Sequence, residues 1–102
     1  MTTITQEQID RVKINQETSR IAWSELQRFF ASGGAIYVSS DLDLVEVAFQ
    51  LSRDNRPQVE QWMAAGQVAN VSDEQALAWH KADAELWAVV VSPFVLVQPI
   101  KD

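Results

Sequence analysis

The amino-acid sequence predicts an α+β fold, with about five helices packed on a small, mostly antiparallel sheet. Three observations carry that expectation. Capping patterns recur ahead of apolar residues at helical spacing, at Thr5-Gln6-Glu7-Gln8, Asp43-Leu44-Val45-Glu46 and Ser72-Asp73-Glu74-Gln75. Short β-branched segments lie between these helical stretches. Finally, Leu86 to Ile100 reads LWAVVVSPFVLVQPI, where only Ser92, Pro93, Gln98 and Pro99 interrupt the apolar residues. A stretch this apolar does not alternate between water and a core, so both of its faces must be covered.

Taken in order, the first box opens a helix from about residue 6, with Ile9 and Val12 at helical spacing, that runs into the polar stretch ending near Arg20. Trp23, Leu26, Phe29 and Phe30 fall on one face of a second helix, which Ser32-Gly33-Gly34 stops. Ala35 to Val38 is a strand. The box at Asp43 opens a third helix to about Arg53, with Val47, Ala48 and Leu51 inward. Asn55-Arg56-Pro57 starts a fourth, the proline sitting in the first turn, where its missing amide costs little. Val59, Trp62 and Met63 form its buried stripe and Gly66 ends it. Val68 to Val71 is a second short strand, and the box at Ser72 opens the last helix, with Ala76, Leu77 and Trp79.

The terminal run breaks into two strands. Fifteen residues at about 3.3 Å each would span roughly 50 Å, far beyond a domain whose radius of gyration is near 13 Å. Ser92-Pro93 is the break, because proline favours a turn and cannot donate to a ladder. The strands are then about 86 to 91 and 94 to 98, and Pro99 ends the second.

The 102 residues suit one domain, residues 1 to 102, with no repeat and no linker. A net charge of -6 repels phosphate backbones, and no two of the eight Lys and Arg residues adjoin, so nucleic acid is a disfavoured partner. Without cysteine there is no disulfide, thiolate zinc site, iron-sulfur cluster or cysteine nucleophile. The amino terminus lacks the basic and apolar regions of a signal peptide. The terminal apolar run is too short and broken for a membrane helix. A cytoplasmic protein without a membrane role is expected.

The segments NQETSRIAWSELQRFFASG at 15 to 33, DLDLVEVAFQLSRDN at 41 to 55, VEQWMAAGQVANVSDEQALAW at 59 to 79 and LWAVVVSPFVLVQP at 86 to 99 are distinctive together. In these the chain resembles a family of small bacterial proteins, the domain-of-unknown-function family numbered 2288. The resemblance implies a bacterial, intracellular, single-domain protein. It brings no activity, ligand, cofactor or site residue.

The residues themselves are poorly equipped for catalysis, and no enzyme is expected. His80 is the only histidine, and no serine, cysteine or second histidine is spaced to form a triad with it, so it reads as a surface residue of the last helix. Asp41, Asp43 and Glu46 could offer oxygen ligands to a cation, but capping explains Asp43 and Glu46, and the turn glycine of a calcium loop is missing. No metal or other cofactor is expected. Gly33-Gly34 follows a helix and precedes a strand, the wrong order for a phosphate loop.

DLVEVAFQLSRDNRPQVEQWMAAGQVANV also admits a winged-helix-like arrangement, with Ala48 at the helix crossing and Gly66 at the turn into a wing. Against it, the helix around 73 to 82 would interrupt that wing, and Glu60 would oppose phosphate on the second helix. A nucleic-acid or regulatory role of this kind would need a basic face gathered from Arg53, Arg56 and Arg28. A small-ligand site would need a cleft pairing His80 with a carboxylate or Tyr37.

Of the four tryptophans, Trp23, Trp62 and Trp79 fit core stripes of helices. Trp87 lies on a strand apolar on both faces, and if helices cover one face, something else must cover the other. The favoured function is therefore a non-enzymatic structural or interaction module. Its expected contact surface is Trp87, Val89, Val91, Phe94 and Leu96, meeting a homodimer mate or an unknown protein partner.

Overall fold

The computed structural model describes residues 4–101. Its elements follow as α1 (Gln6–Glu17), β1 (Ser19–Ala22), α2 (Trp23–Ala31), β2 (Ala35–Val38), α3 (Leu44–Ser52), α4 (Arg56–Ala64), β3 (Val68–Asn70), α5 (Asp73–Ala82), β4 (Glu85–Val91) and β5 (Phe94–Pro99). This is an α+β fold of five helices on one mixed, mostly antiparallel sheet.

Local chemistry sets most of the helix starts. Both halves of the capping box form at Thr5 and Gln8 and again at Ser72 and Gln75. At Asp43 only half forms. The Asp43 carboxylate accepts from the amides of Val45 and Glu46, but the Glu46 side chain turns away to the Arg11 guanidinium, a stronger, charged donor than a backbone amide, and to the Gln50 side-chain amide. Asn55 caps α4 by accepting from the Gln58 amide. Gly66 follows α4 with a φ of 74°, a left-handed conformation that glycine adopts without steric cost.

Two sequence expectations need correction here. α1 does not continue to Arg20. It ends at Glu17, where Thr18 Oγ1 donates to the Ile14 carbonyl, and Ser19–Ala22 then forms a strand against β4. The segment SRIA carries little strand signal of its own, and the ladder offered by β4 decides its conformation.

The sheet order is β1-β4-β5-β2-β3. β4 and β5 form the antiparallel hairpin expected around Ser92-Pro93, running from Val91 opposite Phe94 to Leu86 opposite Pro99. β1 and β3 pair antiparallel with β4 and β2, while β2 and β5 run parallel. The apolar run thus supplies two interior strands. Alternate residues serve opposite cores. On one face Leu86, Ala88, Val95 and Val97 meet Trp23 and Leu26 of α2, with Trp79 of α5 packed alongside. On the other, Val89 and Leu96 meet Leu44, Val47 and Ala48 of α3, joined by Ile14 of α1, Trp62 of α4 and Trp87.

That arrangement corrects the second expectation. The chain divides its own helices between both faces of the sheet, so the surface assigned to a partner is largely covered from within. Val89 is 2 % and Leu96 0 % exposed, Trp87 and Val91 are half-buried, and Phe94 alone reaches 36 %. Nor does a wing follow α4. β3 pairs with β2, and β5 and β2 separate it from β4 in the sheet.

Candidate interaction clefts

α4 packs on α3 and on β3 at the edge of the sheet, and its apolar stripe is only partly covered. Of the stripe expected on it, Val59 and Trp62 are only half-buried and Met63 is 55 % exposed. Between α3, α4 and the sheet lies a cleft of about 240 Å³, floored by Ile36 and Leu96 and walled by Leu51, Val59 and Met63, with Phe94 at its lip. Asn70 is the one polar residue lining it. A shallower recess of about 100 Å³ continues from Leu51 and Val59 to Asp54, Arg56 and Glu60. Phe94 and Leu96 of the expected contact surface therefore do meet, as parts of a cleft rather than of an open sheet face. Ile36 and Met63 were not separable from core residues by sequence spacing.

Trp87 belongs to a different recess. It lies about the start of α3 and is lined by Asn15, Thr18, Leu42, Asp43, Trp87 and Gln98, among others. The Arg20 guanidinium sits 5.0 Å from the Trp87 ring centroid, a cation–π contact made possible by the register that places Arg20 opposite Trp87.

The remaining candidates do not converge. His80 is exposed on α5, and its Nδ1 lies 3.0 Å from Gln27 Nε2. Tyr37 packs against the core beneath α2, apart from either cleft. Asp41 pairs with Lys101 at 3.6 Å and Glu46 with Arg11 at 3.1 Å, while Asp43 caps α3. Among the described residues no three metal-ligating side chains cluster. Arg53 pairs with Glu7 and Arg56 with Asp54, whereas Arg28 lies over the ring of Phe29 on α2, across the sheet. These three arginines form no common basic face. No helix among the described residues is long and apolar enough to cross a membrane.

A family model described as "Protein of unknown function (DUF2288)" matches residues 10–99, from within α1 to the last residue of β5. The chain belongs to this family. DUF2288 thus spans both clefts. The chain is also similar to PA1075 of Pseudomonas aeruginosa, known from an NMR solution structure. The two share 38% identity at a TM-score of 0.81, over 100% of this chain and 94% of that one. No curated protein matches. Neither the family nor PA1075 carries a description that states an activity, and no specific function is indicated.

Proposed function

We propose that this DUF2288 protein is a non-enzymatic interaction module whose cleft between α4 and the sheet receives an amphipathic segment of another protein, with an apolar anchor and a basic flank. The observation that carries this is the cleft's lining, apolar apart from Asn70. At about 240 Å³ it is smaller than typical small-molecule sites of roughly 300 to 1,000 Å³, and it lacks the convergent polar groups that would orient a free ligand. An apolar side chain delivered by a peptide needs no such groups, since its backbone is held outside the cleft. Charge selects the flank. The chain carries a net -6, and in the adjoining recess Arg56 is paired with Asp54, leaving the Glu60 carboxylate facing solvent. The absence of cysteine suits a reducing compartment, and the cytoplasm is the location we propose.

Selection from a library of displayed peptides tests the proposal. Peptides with an apolar anchor beside Lys or Arg should be enriched, and Met63→Glu should weaken their binding by about tenfold or more, roughly 1.4 kcal/mol. Met63 is exposed, so this variant keeps the fold. Failure to select any peptide, or binding indifferent to Met63→Glu, overturns it.

A further inference from the structure

We propose that the segment received by the α4 cleft binds as an extended strand added to the outer edge of β3, with alternate side chains directed to the cleft. This rests on the reading of that cleft as a peptide site and names the conformation the peptide takes there.

The ladder between β2 and β3 fixes which way the β3 backbone points. At its two ends the Ser39 amide donates to the Gln67 carbonyl and the Val71 amide to the Ala35 carbonyl. Backbone groups alternate sides along a strand, so Ala69, midway between Gln67 and Val71, also turns toward β2, while Val68 and Asn70 direct their N–H and C=O groups outward. β3 is the last strand of the sheet, so no ladder meets those groups. Among the described residues, neither Val68 nor Asn70 bonds to a backbone group outside the sheet. Asn70 is exposed, which leaves the edge open there, and Val68, 5 % exposed, continues it toward the turn from α4. Outward N–H and C=O groups of one strand are a template for a second.

The side chains give the second argument. The register aligns Leu96, Ile36 and Asn70 as one row across β5, β2 and β3, and all three line the cleft. A strand added at the edge extends that row by one residue, whose side chain stands opposite Asn70 on the face that carries the cleft. In an antiparallel addition the residue two further along stands opposite Val68, on that face too. The one polar residue of the lining thus sits at the edge end of an apolar row, where the partner's backbone passes. The opposite edge of the sheet has no equivalent. There the row on this face runs Gln98, Trp87, Arg20 and ends in a charge. A helical ligand satisfies its own backbone and would leave the outward groups of β3 as they are.

The probe is a peptide selected as above, with its backbone amides methylated one at a time. Methylation at every second residue through the anchor should weaken binding about tenfold or more, because those amides donate to β3, whereas methylation at the residues between should leave it unchanged. In the isotopically labelled chain, hydrogen exchange at the Asn70 amide should slow by about tenfold or more when the peptide binds. Equal sensitivity at successive residues, or an Asn70 amide that exchanges as before, overturns the added strand; if Met63→Glu still weakens the same peptide, the cleft itself stands. Binding indifferent to Met63→Glu, or a selection that returns no peptide, overturns the cleft and the added strand together.

Discussion

Trp23 shows how one side chain organises a core. It is 1 % exposed at the first position of α2, with the Trp79 ring edge-on at 5.0 Å and Phe30 tilted at 5.8 Å, so two aromatic side chains, one from α2 itself and one from α5, meet at its indole. Trp23→Ala should cost about 3–5 kcal/mol in urea denaturation, since the void lies among rigid rings. Val90 tests the opposite limit. It stands on β4 within the same apolar run that feeds this core but is 58 % exposed, and Val90→Ala should change stability by no more than about 0.5 kcal/mol. Composition alone ranks these two residues alike as core. Their burial was legible only in part, because the spacing of Trp23, Leu26 and Phe30 marks a helix face, while the end of a strand carries no mark of where its cover stops.

At the level of elements, α1 is held differently from the rest. None of its residues is fully buried, and it meets α3 and the residue that caps it through charges: Glu7 with Arg53, and Arg11 with Glu46. Both arginines also lie over the ring of buried Phe49, at 4.4 and 5.3 Å from its centroid. Ile9 and Val12 point outward instead, 49 % and 56 % exposed, and Ile4 stands where a hydrophobic staple to Ile9 would place it. Exposed ion pairs contribute at most about 1 kcal/mol each and are screened by salt. Amide hydrogens of α1 should therefore exchange faster than those of β4 and β5, and faster still at 1 M salt, where the Debye length falls to about 3 Å. Equal protection across α1 and the hairpin would contradict this. The start of α1 was readable from Thr5 and Gln8. Its end was not, because β1 exists by virtue of its partner strand and not by virtue of Ser19–Ala22.

For the whole molecule, the decisive fact is that the helices are divided between both faces of the sheet. α2 and α5 cover one side of the sheet and α1, α3 and α4 the other, which leaves Trp87, Val89 and Leu96 with neighbours from their own chain. The need for cover on both faces of β4 and β5 was visible in the run from Leu86 to Ile100, yet the identity of that cover depends on strand order, which no local spacing encodes. The clefts follow the same logic. Their lining comes from segments as distant as Asn15 and Gln98, or Ile36 and Phe94, and only the order β1-β4-β5-β2-β3 brings them together. With its apolar strand faces internal, the protein should sediment as a monomer at tens of micromolar. A stable dimer would instead point to the α4 cleft or the outer stripe of α1 as the surface that two copies share.

The position of β5 has a consequence for how the sheet holds together. β4 and β1 form one ladder, β2 and β3 another, and β5 is the strand hydrogen-bonded to both. It is also the last of the five in chain order. Without Phe94 to Pro99 the β1–β4 and β2–β3 ladders would share no strand, and the facing edges of β4 and β2 would have unpaired backbone groups. One six-residue strand thus joins the two halves of the sheet, and a substitution that breaks its ladder would loosen both at once.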